Sequence, residues 1–281
     1  MPDLIHGVPV RLSDRVQRLT APNPGPMTGA GTNTYLLGEQ AIAVIDPGPL
    51  EQSHIDVMLE QFGDRIRWIL ATHTHPDPSP AVAPLAEATG AQVIGMLADD
   101  LQFQDQTFKP DWHMQHGEQL RSEEFCLTAI HTPGHVSNHL CFLLDDEGML
   151  FAGDHVMNGS TVVIVPPGGD MKDYIESLQK LTQYPVACIA PAHGDLMDHP
   201  IETLQWLVDH RLGREAKVID KLSALGDSAI AALVPVVYDD VDAQLHGFAQ
   251  LSLLAHLIKL EREQRVRSEG EGNAQHWYWL G

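Results

Sequence analysis

The 281-residue chain has few cysteines and few basic residues, and each shortage excludes a class of protein. Its three cysteines, Cys126, Cys141 and Cys188, are odd in number and scattered, which argues against a disulfide framework and favours reduced thiols in the cytoplasm. Only 17 Lys and Arg residues face 38 Asp and Glu residues, for a formal net charge of −21. Because proteins bind polyanions mainly by neutralising phosphates with Lys and Arg, duplex DNA is not an expected partner.

Long hydrophobic runs are also missing. No apolar stretch reaches the roughly 18 residues needed to cross a bilayer, so no membrane partner is expected. Residues 1–10 lack the basic and apolar regions of a secretory leader, so we expect a cytoplasmic protein. The hydrophobic content of 43% is nevertheless sufficient for one large packed domain, or for a core domain with a smaller appendage.

Apolar runs bounded by turn residues predict alternating strands and helices before Pro200. The predicted strands cover residues 16–19, 33–37, 41–45, 68–71, 92–94, 119–120, 126–131, 139–144, 149–152 and 186–190. The predicted helices cover residues 52–61, 80–89 and 171–181, and Ser79 is the expected cap of the second. The Pro- and Gly-rich loop 21–31 is either a connector or a loop that carries binding residues. Residues 97–117 are predicted to form a surface flap. This alternation is typical of a layered α/β fold.

Four polar motifs each follow a predicted strand. They are THTHPD (72–77), TPGH (132–135), GD (153–154) and PAHGD (191–195). A single HxH is more often a polar turn, but several strand ends can bring their side chains together at one edge of a sheet. Imidazole and carboxylate groups together suit zinc, iron or manganese. Ligands drawn from separate strands also leave coordination positions open, as a catalytic metal requires.

The order of these motifs resembles the metallo-beta-lactamase superfamily over nearly the whole chain. The phrases PNPGPMTGAGTNTYLLG, HTPGHVSNHLCFLL and FAGDHVM are similar to the branch that contains the endoribonuclease called beta-lactamase-like protein 2. HRLGREAKVIDKL and LLAHLIKLEREQRV, nearer the C-terminus, are similar to the same branch. The resemblance implies an α/β fold, namely a four-layer αββα metallo-beta-lactamase sandwich with a small C-terminal helical, winged-helix-like domain and with the metals at one sheet edge.

The resemblance also implies a ligand set. The first metal site corresponds to His73, His75 and His135, the bridging carboxylate to Asp154, and the second site to Asp77 and His193. The family pattern continues with a histidine where this chain has Pro78, so the second site loses an imidazole. One ion, two ions with a labile second one, and a degenerate centre all stay open. Zinc is the expected metal, with iron or manganese as alternatives.

A metal held by three imidazoles and a carboxylate can lower the pKa of a bound water to about 7. We therefore expect a metal-dependent hydrolase in which a metal-activated water attacks an ester, thioester or phosphodiester of a small molecule, with Asp77 as the catalytic base. His139, His155 and Asn33 are expected to support the ligands from behind or to contact the substrate. The alternatives are an endoribonuclease acting on short single-stranded RNA, and a non-catalytic relative that binds a metal or another ligand.

From Pro200 onward the chain becomes helical, which indicates a division into residues 1–199 and 200–281. Predicted helices at 200–224, 229–238 and 250–265 precede a two-stranded wing at 267–280. Arginines interleaved with glutamates in this part indicate a solvated face rather than a phosphate track. The unit is expected to wall the active-site cleft or to form a homodimer contact. Histidines on its helices, including His210 and His256, are expected to be surface or half-buried residues rather than ligands.

Overall fold

Two β-sheets lie at the centre of the fold. The computed structural model describes residues 4–100, 102–272 and 275–281. The first sheet has seven strands, which follow one another in the sheet as they do in the chain: β1 (Val10–Arg11), β2 (Val16–Thr20), β3 (Asn33–Leu37), β4 (Ile42–Ile45), β5 (Ile66–Leu70), β6 (Gln92–Gly95) and β7 (Trp112–His113). β1 to β4 pair antiparallel, and β4 to β7 pair parallel.

The second sheet has five strands in the order β12-β11-β10-β9-β8. They are β8 (Gln119–Arg121), β9 (Cys126–His131), β10 (Leu140–Leu144), β11 (Met149–Gly153) and β12 (Cys188–Pro191). β12 pairs parallel to β11, and the other pairs are antiparallel. Every residue of β10 and β11 is buried, because neighbouring layers cover both faces of this sheet.

Three apolar clusters separate four layers. α1 (Gln52–Phe62) and α2 (Val82–Thr89) pack on the outer face of the first sheet. The two sheets face each other across a second cluster that includes Tyr35 and Phe151. α3 (Met171–Leu181) and the first half of α4 (Pro200–Leu225) cover the outer face of the second sheet. The predicted αββα sandwich is confirmed.

The start of α2 differs from its prediction. The helix begins at Val82 rather than at residue 80, and no side chain caps it. The Ser79 hydroxyl instead donates to Asp105 Oδ2 at 2.9 Å and to the carbonyl of His75 at 3.3 Å. The prediction that Ser79 caps α2 is wrong, because its hydroxyl bonds to the loop that carries His75.

The C-terminal part has its own core. α4, α5 (Ile230–Val237) and α6 (His246–Arg262) pack together against a small antiparallel sheet in the order β13-β15-β14. Its strands are β13 (Asp227–Ala229), β14 (Val266–Glu269) and β15 (His276–Trp279). The expected two-stranded wing therefore gains a third strand, and α6 begins and ends a few residues earlier than predicted.

α4 belongs to two cores at once. Leu204 and Leu207 in its first half pack with α3, whereas Val218 and Leu222 in its second half pack with α5 and α6. The division at residues 199 and 200 therefore stays a prediction. In the part of the chain that the structure describes, no helix has both the length and the apolar character to cross a membrane.

Candidate metal centre

Residues 72–77 leave the end of β5 at a point where the two sheets meet, since the carbonyl of Thr72 accepts a hydrogen bond from the N–H of Leu140 at 2.7 Å. The carboxylate of Asp46, directly after β4, accepts from Thr72 N at 2.7 Å and from Thr72 Oγ1 at 2.8 Å. The same hydroxyl lies 3.0 Å from His73 Nδ1. When Asp46 is ionised, the hydroxyl gives its one proton to that carboxylate and accepts from His73, and this leaves the Nε2 lone pair of His73 free.

Three imidazoles form the first candidate metal group. His73, His75 and His135 each offer one ring nitrogen, and the three atoms lie within 4.8 Å of one another. His73 Nε2 is buried and has no hydrogen-bond partner among the described residues. Burial and the neighbouring rings lower the pKa of His73 well below its usual range and that of His75 to about 3. The rings of His73 and His75 are therefore neutral, as metal ligands must be.

Two carboxylates and an imidazole form the second group. Ligand atoms of Asp77, Asp154 and His193 also lie within 4.8 Å of one another. His193 Nε2 is 3.1 Å from Asp77 Oδ2 and 3.4 Å from Asp154 Oδ1. Burial opposes ionisation here, but hydrogen bonding to Asp154 and Asp77 raises the pKa of His193 to about 10. Asp154 Oδ2 lies 3.7 Å from His135 Nε2, so Asp154 stands between the two groups.

Both groups fit divalent cations. The first supplies imidazole nitrogens, including the unpartnered Nε2 of His73, and the second supplies two carboxylates together with His193, whose ring proton an ion would displace. Pro78 is buried beside Asp77, and its carbonyl accepts a hydrogen bond from the N–H of Gly48 at 3.0 Å. Proline has no ligating side chain, so the second group contains one imidazole where the first contains three.

The predicted supporting residues lie behind the ligands. The ring of His139 stacks on that of His73 with centroids 5.1 Å apart, and the ring of His155 lies 5.7 Å from that of His139. Asn33 Nδ2 donates to the carbonyls of Pro191 and Gly194 at 3.1 and 2.8 Å. These bonds flank His193 and fix its loop. All three side chains are fully buried or nearly so, and none lines the cavity in front of the ligands.

A loop between β11 and α3 connects the centre to the C-terminal part. Within this 157–169 loop, the carbonyl of Val163 is 3.0 Å from His135 Nδ1. The preceding carbonyl, of Val162, accepts a hydrogen bond from Arg211 Nη2 at 2.5 Å. On the other side of Val163, the N–H of Ile164 donates a hydrogen bond to Ser252 Oγ at 3.4 Å. The orientation of His135 thus depends on a loop that two C-terminal side chains hold.

A cavity of about 870 Å³ opens in front of the ligands. His75, Asp77, His135, Asp154 and His193 line its inner end. Much of the remaining lining is carbon, contributed by loop 21–31, by the 157–169 loop and by the C-terminal part. It includes Met27, Val163, Val165, Tyr238, Leu245 and Phe248. The expectation that the C-terminal part walls the cleft is confirmed, and loop 21–31 does contribute lining residues.

Sequence reasoning missed three residues here. Asp46 belongs to none of the four polar motifs, although its position directly after β4, the strand next to β5, was a usable signal. Arg211 and Arg214 line the cavity, but they occur in a charged helical stretch that gives no sign of burial. His256 is fully buried, although it was expected at the surface or half-buried. His210 is half-buried, as expected, and it also lines the cavity.

Comparisons with known proteins agree with this geometry. The family profile "Metallo-beta-lactamase superfamily" matches residues 27–193, and the profile "Beta-lactamase associated winged helix domain" matches residues 229–277. A beta-lactamase-like protein 2 homolog from Drosophila melanogaster is 30% identical over 275 residues, covering 92% of this chain and 91% of the relative.

Two further similarities involve an enzyme and a solved structure. An atrochrysone carboxyl ACP thioesterase from Passalora fulva is 29% identical over 286 residues, covering 95% of this chain and 82% of the relative. A metallo-beta-lactamase family protein from Thermus thermophilus has a crystal structure that superposes with a TM-score of 0.78. It covers 96% of this chain and 100% of that one at 20% identity, so it shows a shared fold.

Proposed function

Because this chain belongs to the metallo-beta-lactamase superfamily and is a metal-dependent hydrolase, we propose that it hydrolyses thioesters that carry a largely apolar acyl group. The observation that carries this proposal is the carbon-rich lining of the cavity in front of the candidate ligands. Apolar surface removed from water contributes roughly 25 cal/mol per Å², so an acyl chain burying about 100 Å² would gain about 2.5 kcal/mol of binding free energy.

Single-stranded RNA suits this cavity less well. Among the described residues, the cationic side chains other than histidine that line it are Arg211 and Arg214. Arg214 is already bound to both carboxylate oxygens of Asp240, at 2.7 and 2.9 Å. A nucleic-acid strand needs several cations along its path in addition to any aromatic rings on which its bases stack. The net charge of −21 adds long-range repulsion for a polyanion.

The ligand assignment follows from the two groups. We assign His73, His75, His135 and Asp154 to one ion, which we expect to be zinc, with iron or manganese as alternatives. Asp77, Asp154 and His193 would hold a second ion more weakly, since one imidazole is replaced by Pro78. A divalent ion bound there would polarise the scissile carbonyl and make a water more acidic. Asp77, which lines the cavity, accepts a proton from the attacking water and returns it to the departing sulfur as the C–S bond breaks, so that the acid and the thiol are released.

The thioesterase from Passalora fulva supports this choice of bond, since its name describes a carrier-linked acyl thioester. A thioester carbonyl, like an ester carbonyl, also enters an apolar cavity without bringing charge with it, whereas a phosphodiester brings a negative charge. The acyl group would then lie against Val163, Val165 and Phe248 while the reacting carbonyl faces Asp77.

The test compares substrate classes on one preparation. Protein purified without chelator is assayed for metal content and for hydrolysis of acyl thioesters and of fluorescent single-stranded RNA. We expect thioester hydrolysis that is lost in His73→Ala together with bound metal, and that is lost in Asp77→Asn. His199→Ala removes a solvent-exposed imidazole and serves as the matched control. RNA cleavage without thioester hydrolysis would overturn the proposal, as would the absence of any hydrolysis by metal-loaded protein.

A further inference from the structure

Arg211 is a buried cation that lines the cavity. Its side chain is part of α4, and the residue is 3% exposed. Nη2 donates to the carbonyl of Val162, and the guanidinium lies over the ring of Tyr174 with its carbon 5.2 Å from the centroid. Nε is buried and has no hydrogen-bond partner among the residues that the structure describes.

No carboxylate neutralises this cation within the described ranges of the chain, because the nearby acids have other partners. One turn along α4, Arg214 forms two hydrogen bonds with Asp240. Glu215, also on α4, pairs with Lys259 at 2.9 Å. Arg211 is therefore charged, buried and without an ion-pair partner, while its neighbours on the same helix are paired.

A guanidinium stays protonated at any ordinary pH, and burying it without an opposite charge is costly. Its planar fork of donors matches the oxygens of a carboxylate or phosphate. We propose that Arg211 binds an anionic group, a carboxylate or a phosphate, of a thioester substrate whose acyl chain is otherwise apolar. This inference rests on the proposed thioesterase function.

The anion has two sources in a thioester substrate. It is either a carboxylate at the far end of the acyl chain, as in the monothioester of a dicarboxylic acid, or a phosphate on the thiol carrier. Both would supply oxygens to the same fork of donors. Substrates that vary the two ends independently distinguish these sources.

A purely structural role for Arg211 makes a different prediction. Arg211 also holds the 157–169 loop through its hydrogen bond to the carbonyl of Val162, and the carbonyl of Val163 in that loop contacts His135. If holding the loop were its only role, its loss would affect charged and neutral substrates equally. Ser252 holds the same loop through Ile164 without any charge, and this makes Ser252→Ala the matched control for the loop. Lys221→Met removes one positive charge from the same helix away from the cavity lining and controls for net charge.

The experiment measures kcat and KM for a set of four substrates, in which hexanoyl and 5-carboxypentanoyl thioesters are each built on N-acetylcysteamine and on coenzyme A. We expect Arg211→Gln to raise KM for the substrates with the recognised anion by roughly 10- to 100-fold and to leave the neutral substrate nearly unchanged. Arg211→Lys should recover part of the preference, since it keeps the charge but not the fork. Ser252→Ala and Lys221→Met should keep the preference between charged and neutral substrates.

Equal changes for charged and neutral substrates in Arg211→Gln would overturn the inference, as would a wild-type protein with no preference for an anion. Calorimetric titration with hexanedioate and hexanoate tests binding separately from hydrolysis, at matched metal content. Tighter binding of the dianion that Arg211→Gln abolishes supports the inference even if no thioester is cleaved. A failure of the proposed function and a failure of this inference are thus distinguishable.

Discussion

Replacing Gly169 with alanine is expected to displace His135 and so to weaken metal binding. Gly169 ends the 157–169 loop, just before the Asp170 cap of α3. A Cβ added at this position would lie 2.8 Å from the carbonyl oxygen of His135, 2.9 Å from Val165 N and 3.0 Å from Gly134 O. All of these are backbone atoms, which cannot rotate away as a flexible side chain would.

The size of the displacement follows from these distances. Ordinary contacts of a Cβ begin at 3.4 Å, so relief of the 2.8 Å approach requires a relative movement of about 0.6 Å. Overpacking of this kind typically costs about 1–3 kcal/mol of stability. A misplacement of about 1 Å near reacting groups can cost about 100-fold in rate, so we expect kcat/KM to fall on the order of 10-fold. Metal affinity should fall with it, since His135 is one of the imidazoles of the first group.

The control is the neighbouring glycine. A Cβ added at Gly168 would approach only Asp100 Oδ2, at 3.4 Å, and Val165 O, at 4.0 Å. Metal affinity of Gly169→Ala and Gly168→Ala is measured by competition with a chromophoric chelator, with thermal unfolding recorded for both. If Gly169→Ala binds metal as tightly as Gly168→Ala does, the link between this loop and His135 is refuted.

Three further substitutions have expected outcomes. Tyr35→Phe removes a buried hydrogen bond to Pro191 O, and denaturant titration should show a loss of about 1 kcal/mol, since Asn33 still donates to that carbonyl; no loss would contradict this. Burial raises the pKa of Asp46 from 3.8 to about 8. Between pH 3.8 and pH 8 the folded metal-free protein therefore keeps a proton on Asp46 that the unfolded chain releases, and the free energy of unfolding should fall as the pH rises through this range. Asp46→Asn should flatten that pH profile of unfolding free energy, and an unchanged slope would refute the assignment. Pro78→His restores an imidazole next to the second group, and elemental analysis should find more retained metal per chain than in the wild type; equal retention would contradict this expectation.

Local signals predicted those elements whose ends are determined locally. α3 begins at Met171 and ends at Leu181, as predicted, because the side chain of Asp170 accepts hydrogen bonds from Lys172 N and Asp173 N. β13 was missed, since its residues carry no alternating apolar pattern and form a strand only by pairing with β15, nearly fifty residues later along the chain. The start of α2 was misplaced because Ser79 bonds to Asp105, a distant residue.

The candidate metal centre likewise contains residues that local sequence patterns reveal and residues that they do not reveal. The motifs that carry His73, His75, Asp77 and the other candidate ligands stand out in the sequence, since polar residues that follow apolar strands are conspicuous, and the structure brings all of them together. Asp46 acts through Thr72, and Arg211 acts from a helix more than fifty residues beyond Asp154 in the chain. Residues that act through another residue, or from another domain, have no local pattern that could reveal them.

The cavity divides the work between two parts of the chain. The four-layer sandwich supplies the six candidate metal ligands, whereas the segment from α4 to α6 supplies Arg211, Leu245 and Phe248 to the cavity lining. A chimaera that keeps the sandwich and takes these helices from a relative should therefore keep its chemistry and change its preferred substrate. The junction belongs inside α4, after Val208, because the first half of that helix packs with the sandwich.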